Sequence, residues 1–156
     1  METEKFYLTK EGLEKLKKEY EELKKIRALK IKGEVPDILH SEEINPEYLS
    51  FQEDMSFLEG RIVELENILK NAVLIKPPPK AEQDKVALGA TVLVEVNGRL
   101  DEFTIVGRLE ANPSIGKISD QSPVGKALLG REVGEVVLIS SPIKISYKIK
   151  KIKYEL

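Results

Sequence analysis

The chain has no cysteine, no tryptophan and a single histidine, His40. Without cysteine there is no disulfide framework, no thiolate metal site and no thiol nucleophile, a pattern that fits a reducing cytoplasm. One histidine excludes clustered histidine ligation of a metal, so His40 offers only an isolated imidazole. Nowhere do about 18 apolar residues run together, and Met1 to Lys10 contains no apolar stretch of signal-peptide length, so a soluble chain with no membrane association is expected. Nor is there an excess of positive charge. Lysine and arginine number 25 against 27 aspartates and glutamates, a net charge of −2, which leaves no overall electrostatic footprint for free duplex DNA. A phosphate-binding loop is absent as well: Gly125-Lys126-Ala127 lacks both the upstream glycine and the hydroxyl residue of that motif.

What is present is periodicity. From Thr9 to about Lys32, Leu13, Leu16, Tyr20 and Leu23 recur three and four residues apart among glutamates and lysines, and Thr9 is placed to cap the helix this spacing predicts. Beyond Leu23 the stripe blurs. Arg27 falls where an apolar residue should be, and Ile26, Leu29 and Ile31 lie off the seam, so packing should loosen toward that end. Gly33 and Pro36 then interrupt the helix. A second helix is expected from Asn45-Pro46 to Lys70, about 35 Å long, with proline at the first helical position, where its missing N–H costs nothing. Its seam, Tyr48, Phe51, Met55, Leu58, Ile62, Leu65 and Leu69, is that of a coiled coil. Two such helices joined by a short segment pack antiparallel, with about Gly33 to Ile44 at the tip.

Lys76-Pro77-Pro78-Pro79-Lys80 and the polar residues to Lys85 cannot continue a helix and read as a semi-rigid linker. After it the period changes to two. Val92, Val94 and Val96 alternate, Asn97-Gly98 suits a tight hairpin turn, and Phe103 and Ile105 alternate on the returning strand. Ser122-Pro123 can open a short helix ending at Gly130, and Ile143, Ile145, Tyr147 and Ile149 predict a further strand. The fold class is therefore α+β: an antiparallel helical hairpin over residues 1–75, a linker over 76–86, and a mainly antiparallel β domain with a short helix over 87–156. At the tip, Asp37, Glu42 and Glu43 could carry carboxylate oxygens to a magnesium ion at the end of a long arm, although acids in a polar loop are equally served by solvent.

Asn45-Pro46-Glu47-Tyr48, Phe57-Leu58-Glu59-Gly60-Arg61-Ile62 and Leu65-Glu66 through Asn71-Ala72 resemble the second hairpin helix of the Gre family of bacterial transcript-cleavage factors. Leu88-Gly89-Ala90-Thr91-Val92, Ile118-Ser119 and the run Ser122 to Gly130 resemble that family's C-terminal domain, in the same order. The resemblance implies an FKBP-like second domain and a monomeric accessory factor, not itself an enzyme. It implies a hairpin that enters the secondary channel of bacterial RNA polymerase to stimulate cleavage of backtracked RNA. Nascent RNA and template DNA are then met only within the elongation complex. No cofactor is implied for the chain alone; the magnesium is that of the polymerase active centre.

The family's tip reads Gly-Asp-x-x-Glu-Asn-x-Glu-Tyr. Aligned on Asn45 to Tyr48, its two functional acids fall on Ser41 and Ile44, neither of them acidic. Glu42 and Glu43 lie between those positions and are the residues expected to take over metal holding and catalytic support, with Asp37 a more distant alternative. A non-cleaving paralogue that modulates the polymerase is the other reading of this tip. Asp120, Ser122 and Pro123 match the family's polymerase-docking turn, while serine and proline there also suit a helix start. A coiled-coil chaperone or a prolyl isomerase remains a different-class alternative, but a shared fold does not carry isomerase activity with it, and the sequence shows no aromatic-lined pocket.

Overall fold

The computed structural model describes residues 4–33, 46–140 and 143–155. They belong to two packed units, one formed by Leu13–Asn71 and the other by Glu4–Gly12 together with Ala72–Leu156. This differs from a contiguous division at residue 75. The reason is a short strand, β1 (Phe6–Leu8), whose parallel partner β2 (Ala72–Leu74) follows the hairpin in sequence. Phe6 and Leu8 are buried, and the Ile75 N–H donates to the Leu8 carbonyl at 2.8 Å, so the first strand is held by residues beyond the hairpin.

Helix α1 spans Lys10–Gly33 and starts as its sequence dictates, with Thr9 Oγ1 accepting from the Gly12 N–H at 3.1 Å. Helix α2 spans Pro46–Lys70, opening on the proline that marked its first turn. Leu13, Leu16, Tyr20 and Leu23 are half-buried, whereas Ile26, Leu29 and Ile31 are exposed, as their positions off the seam require. On α2 the burial is graded. Tyr48, Phe51 and Met55 are half-buried, and Leu58, Ile62 and Leu65 are fully buried. In the last turn Ile68 is buried and Leu69 only half-buried.

Polar pairs fix the direction of the two helices. Lys30 meets Asp54 at 3.6 Å while Tyr20 donates to Glu66 at 3.0 Å, so α1 and α2 run antiparallel. Arg61 forks onto both oxygens of Glu19, at 2.8 and 3.0 Å. No helix among the described residues is long and apolar enough to cross a membrane.

The second unit is built on a mixed five-stranded sheet of order β5-β4-β3-β7-β6. Its strands are β3 (Thr91–Val96), β4 (Arg99–Val106), β5 (Lys117–Ser119), β6 (Val136–Ser140) and β7 (Lys144–Lys153). Asn97 and Gly98 turn β3 into β4 with φ of 51° and 77°, the left-handed pair a two-residue hairpin needs. The other central ladders are antiparallel and β5 lies parallel to β4, which agrees with the mainly antiparallel domain expected. Alternation sends Val92, Val94, Ile105, Val137 and Ile149 to one face, where α3 (Pro123–Leu128) closes the core with Leu128.

The proline run leads into a 3-10 turn at Lys80–Glu82, after which the chain is tied to the sheet unit rather than left as a free spacer. The Val86 N–H donates to the Arg131 carbonyl at 2.8 Å, and the Tyr154 hydroxyl donates to the Lys85 carbonyl at 2.5 Å while accepting from the Ala87 N–H at 2.9 Å. Burial, above all, raises the Tyr154 pKa.

Candidate functional site

The turn after β5 is assembled by short-range bonds that its residue types make possible. The Asp120 N–H donates to the Val106 carbonyl at 3.0 Å, fixing the turn to the end of β4. Ser122 Oγ donates to the Ser119 carbonyl at 2.6 Å and accepts from the Gly125 N–H at 3.0 Å, so it is both a turn clasp and the cap of α3. Pro123 occupies the first turn of α3 and is exposed. Gly125 is fitted closely: a Cβ there would lie 2.1 Å from the Ser119 carbonyl oxygen. The three residues singled out in the sequence are thus adjacent but not equivalent. Ser122 is occupied by its own backbone, whereas among the described residues the half-buried Asp120 carboxylate has only 3.5 Å contacts with Ser119 Oγ and Gln121 Nε2. It keeps acceptor capacity for a partner.

Asp120 lines a shallow cleft of about 290 Å³ together with Gln121, Arg108, Gly107, Phe6 and Tyr7. Arg108 lies over the Phe6 ring, 5.2 Å from its centre, and pairs with Glu4 at 2.5 Å. The cleft therefore sets a weakly hydrogen-bonded carboxylate near a paired guanidinium and an aromatic ring. Gly107 permits this wall to form, since a Cβ there would meet the Tyr7 carbonyl oxygen at 2.2 Å. None of Phe6, Gly107 or Arg108 had a local sequence signal, because their roles come from contacts about a hundred residues apart in the chain.

Glu110 is a further residue of this kind. Its carboxylate accepts from the Thr9 N–H at 2.8 Å and from Thr9 Oγ1 at 2.5 Å, placing a negative charge at the start of α1. Gly12 leaves room for it, since a Cβ would fall 2.1 Å from Glu110 Oε1. Glu110→Ala should cost about 1–2 kcal/mol by leaving the helix start short of an acceptor. Urea unfolding checks this, and an unchanged midpoint would show that water replaces the carboxylate without loss.

Glu42 and Glu43, with Asp37 and His40, lie outside the described residues. Among the described residues no cluster of three or more histidine, aspartate or glutamate side chains is arranged to hold a metal.

Two sequence-family profiles match the chain: transcription elongation factor, N-terminal, over residues 6–74, and transcription elongation factor, GreA/GreB, C-term, over residues 80–154. A transcription elongation factor GreA from Thermodesulfovibrio yellowstonii is 44% identical over 158 residues, covering 98% of this chain and 99% of its own. This chain belongs to the GreA/GreB family of transcription elongation factors. The GreA of Thermomicrobium roseum is 42% identical over 144 residues, covering 91% of this chain and 92% of that protein. A crystal structure of GreA factor homolog 1 (Gfh1) from Thermus thermophilus, 28% identical, covers 96% of this chain and 99% of its own, with a TM-score of 0.42. As a member of the GreA/GreB family the chain is an accessory elongation factor, and both the helical pair and the sheet unit fall within the matched segments.

Proposed function

We propose that this GreA/GreB-family chain binds bacterial RNA polymerase through the Asp120 turn. From there its hairpin enters the secondary channel and promotes the polymerase's own cleavage of backtracked RNA, rescuing arrested complexes. The observation that carries this reading is the Asp120 carboxylate, held by a capped turn yet without a strong partner among the described residues. Ser122 contributes by shaping the turn, and Pro123 by starting α3 and presenting an exposed ring. Glu42 and Glu43 would offer carboxylate oxygens to the polymerase's magnesium; RNA and DNA are encountered only inside that complex. The chain acts as a monomer in the cytoplasm in this reading.

A second reading rests on Ser41 and Ile44, which stand where the family tip carries acids. Serine is a weak neutral ligand and isoleucine supplies no donor atom, so a tip of this kind favours a channel-occupying modulator that slows elongation without cleavage.

Docking and tip chemistry lie on separate segments and should separate experimentally. Asp120→Ala is expected to weaken binding to purified polymerase about tenfold, the loss of one charge-assisted contact. Deleting residues 33–44 should leave binding nearly intact while abolishing any effect on transcript cleavage in stalled complexes. The reverse outcome would place docking on the hairpin.

A further inference from the structure

Strand β7 carries five lysines, Lys144, Lys148, Lys150, Lys151 and Lys153, and no carboxylate within its length, in a chain whose net charge is −2. The sheet gathers them on one side. Ile149 points into the core, Lys144 and Lys148 are exposed, and the register shift opposite Leu93 and Val94 leaves Lys150 and Lys151 both exposed as well. The neighbouring edge strand adds an apolar component: Val136 sits opposite Lys148 and Leu138 opposite Ser146, and they are 60% and 57% exposed.

The carboxylates close to this face are taken up by two of the lysines. Glu95 pairs with Lys150 at 3.0 Å, and Lys153 lies 3.8 Å from Glu102 and 3.5 Å from Glu155. The hydrogen bond from Lys150, and to a lesser degree the charge of Lys148, holds the Glu95 pKa below its ordinary value. Lys144, Lys148 and Lys151 have no carboxylate within ion-pair distance among the described residues. Lys148 lies opposite Glu95, which is already paired with Lys150, so the face keeps more ammonium groups than carboxylates, an excess that an anionic partner would offset.

The apolar neighbours decide what kind of anion. A nucleic-acid strand is bound by basic groups with aromatic rings for its bases, and the strand's aromatic residue, Tyr147, is half-buried edge-on to Phe103, 6.3 Å between centroids. Val136 and Leu138 have no use for phosphates but suit a protein surface that mixes acidic and aliphatic side chains. We propose that the outer face of β6 and β7 docks an acidic, partly apolar protein surface of RNA polymerase, as a contact additional to the Asp120 turn. This rests on the polymerase reading given above. The two contacts lie at different places in the sheet, since Asp120 follows the edge strand β5 and the lysine face is completed by the other edge strand, β6.

The test is the affinity of the full chain for purified core RNA polymerase over a range of ionic strength. Lys144→Glu with Lys148→Glu and Lys151→Glu should lower affinity at least tenfold at low salt, and the gap should close as salt is raised. The corresponding triple glutamine variant removes charge without adding repulsion and should give a smaller loss with the same salt trend, which guards against a folding defect in the glutamate form. Leu138→Ser should weaken binding without altering the salt dependence. Binding by both triple variants equal to the unaltered chain at every salt concentration would overturn the assignment while leaving the Asp120 reading intact. Lysine-dependent binding of a labelled single-stranded DNA, with polymerase affinity unchanged, would assign the face to phosphates instead. If the unaltered chain does not bind polymerase, the functional reading fails and this contact fails with it.

Discussion

Replacing Glu42 and Glu43 together by glutamine is expected to reduce stimulated transcript cleavage on the order of 100-fold while leaving polymerase binding unchanged. A factor of that size corresponds to about 2.7 kcal/mol of lost transition-state stabilisation, within the range that a metal-directed carboxylate pair can supply. Glutamine keeps the size and polarity of each side chain but presents a neutral amide, so its affinity for a hard divalent cation falls. Raising magnesium should restore part of the activity if metal affinity is what was lost. Cleavage equal to that of the unaltered chain would make these acids a solvated tip and move attention to Asp37. If the unaltered chain slows elongation and never stimulates cleavage, the substitutions at the family's acidic positions, Ser41 and Ile44, account for it and the modulator reading stands.

Gly125→Ala should lower the stability of the sheet unit by about 3 kcal/mol. Its methyl group would lie 2.1 Å from the Ser119 carbonyl oxygen and 3.0 Å from Ser122 Oγ, so the turn or the start of α3 must move. Either movement breaks the bonds by which Ser122 holds Ser119 and caps the helix. Chemical denaturation gives the stability loss. Polymerase binding under conditions where the variant remains folded should also fall, because Asp120 belongs to the displaced turn. Unchanged stability would mean that the turn tolerates a shift the close contact argues against, and normal binding by a destabilised variant would detach Asp120 from docking.

Local chemistry made much of the fold legible. Thr9, Pro46, Asn97-Gly98 and Ser122-Pro123 each act on their own few residues, through caps, a first-turn proline and a left-handed hairpin turn, and each appears where its chemistry required. Elements defined by distant partners were not legible. Strand β1 has only three residues and no alternation long enough to read, and its identity comes from pairing with β2 after the hairpin. The parallel placement of β5 on β4 likewise has no local signature. Of the site, Asp120, Ser122 and Pro123 could be named from their motif, but the division of labour among them follows from which oxygen is already hydrogen-bonded. Arg108, Gly107 and Glu110 depend on the fold having first brought Glu4 to Thr9 alongside them.

The split composition of the sheet unit bears on how the protein is made. Glu4–Gly12 leaves the ribosome before the hairpin, yet its pairing strand Ala72–Leu74 and the residues that receive it, Gly107 and Glu110, are synthesised only after both helices. The hairpin can close on its own residues while translation continues, whereas the first strand must wait unpaired until β2 and the residues of the sheet unit have emerged. Completion of the sheet unit is therefore a late event in biosynthesis, and a nascent chain stalled before Glu110 would expose Phe6 and Leu8 to whatever binds apolar segments at the ribosomal exit.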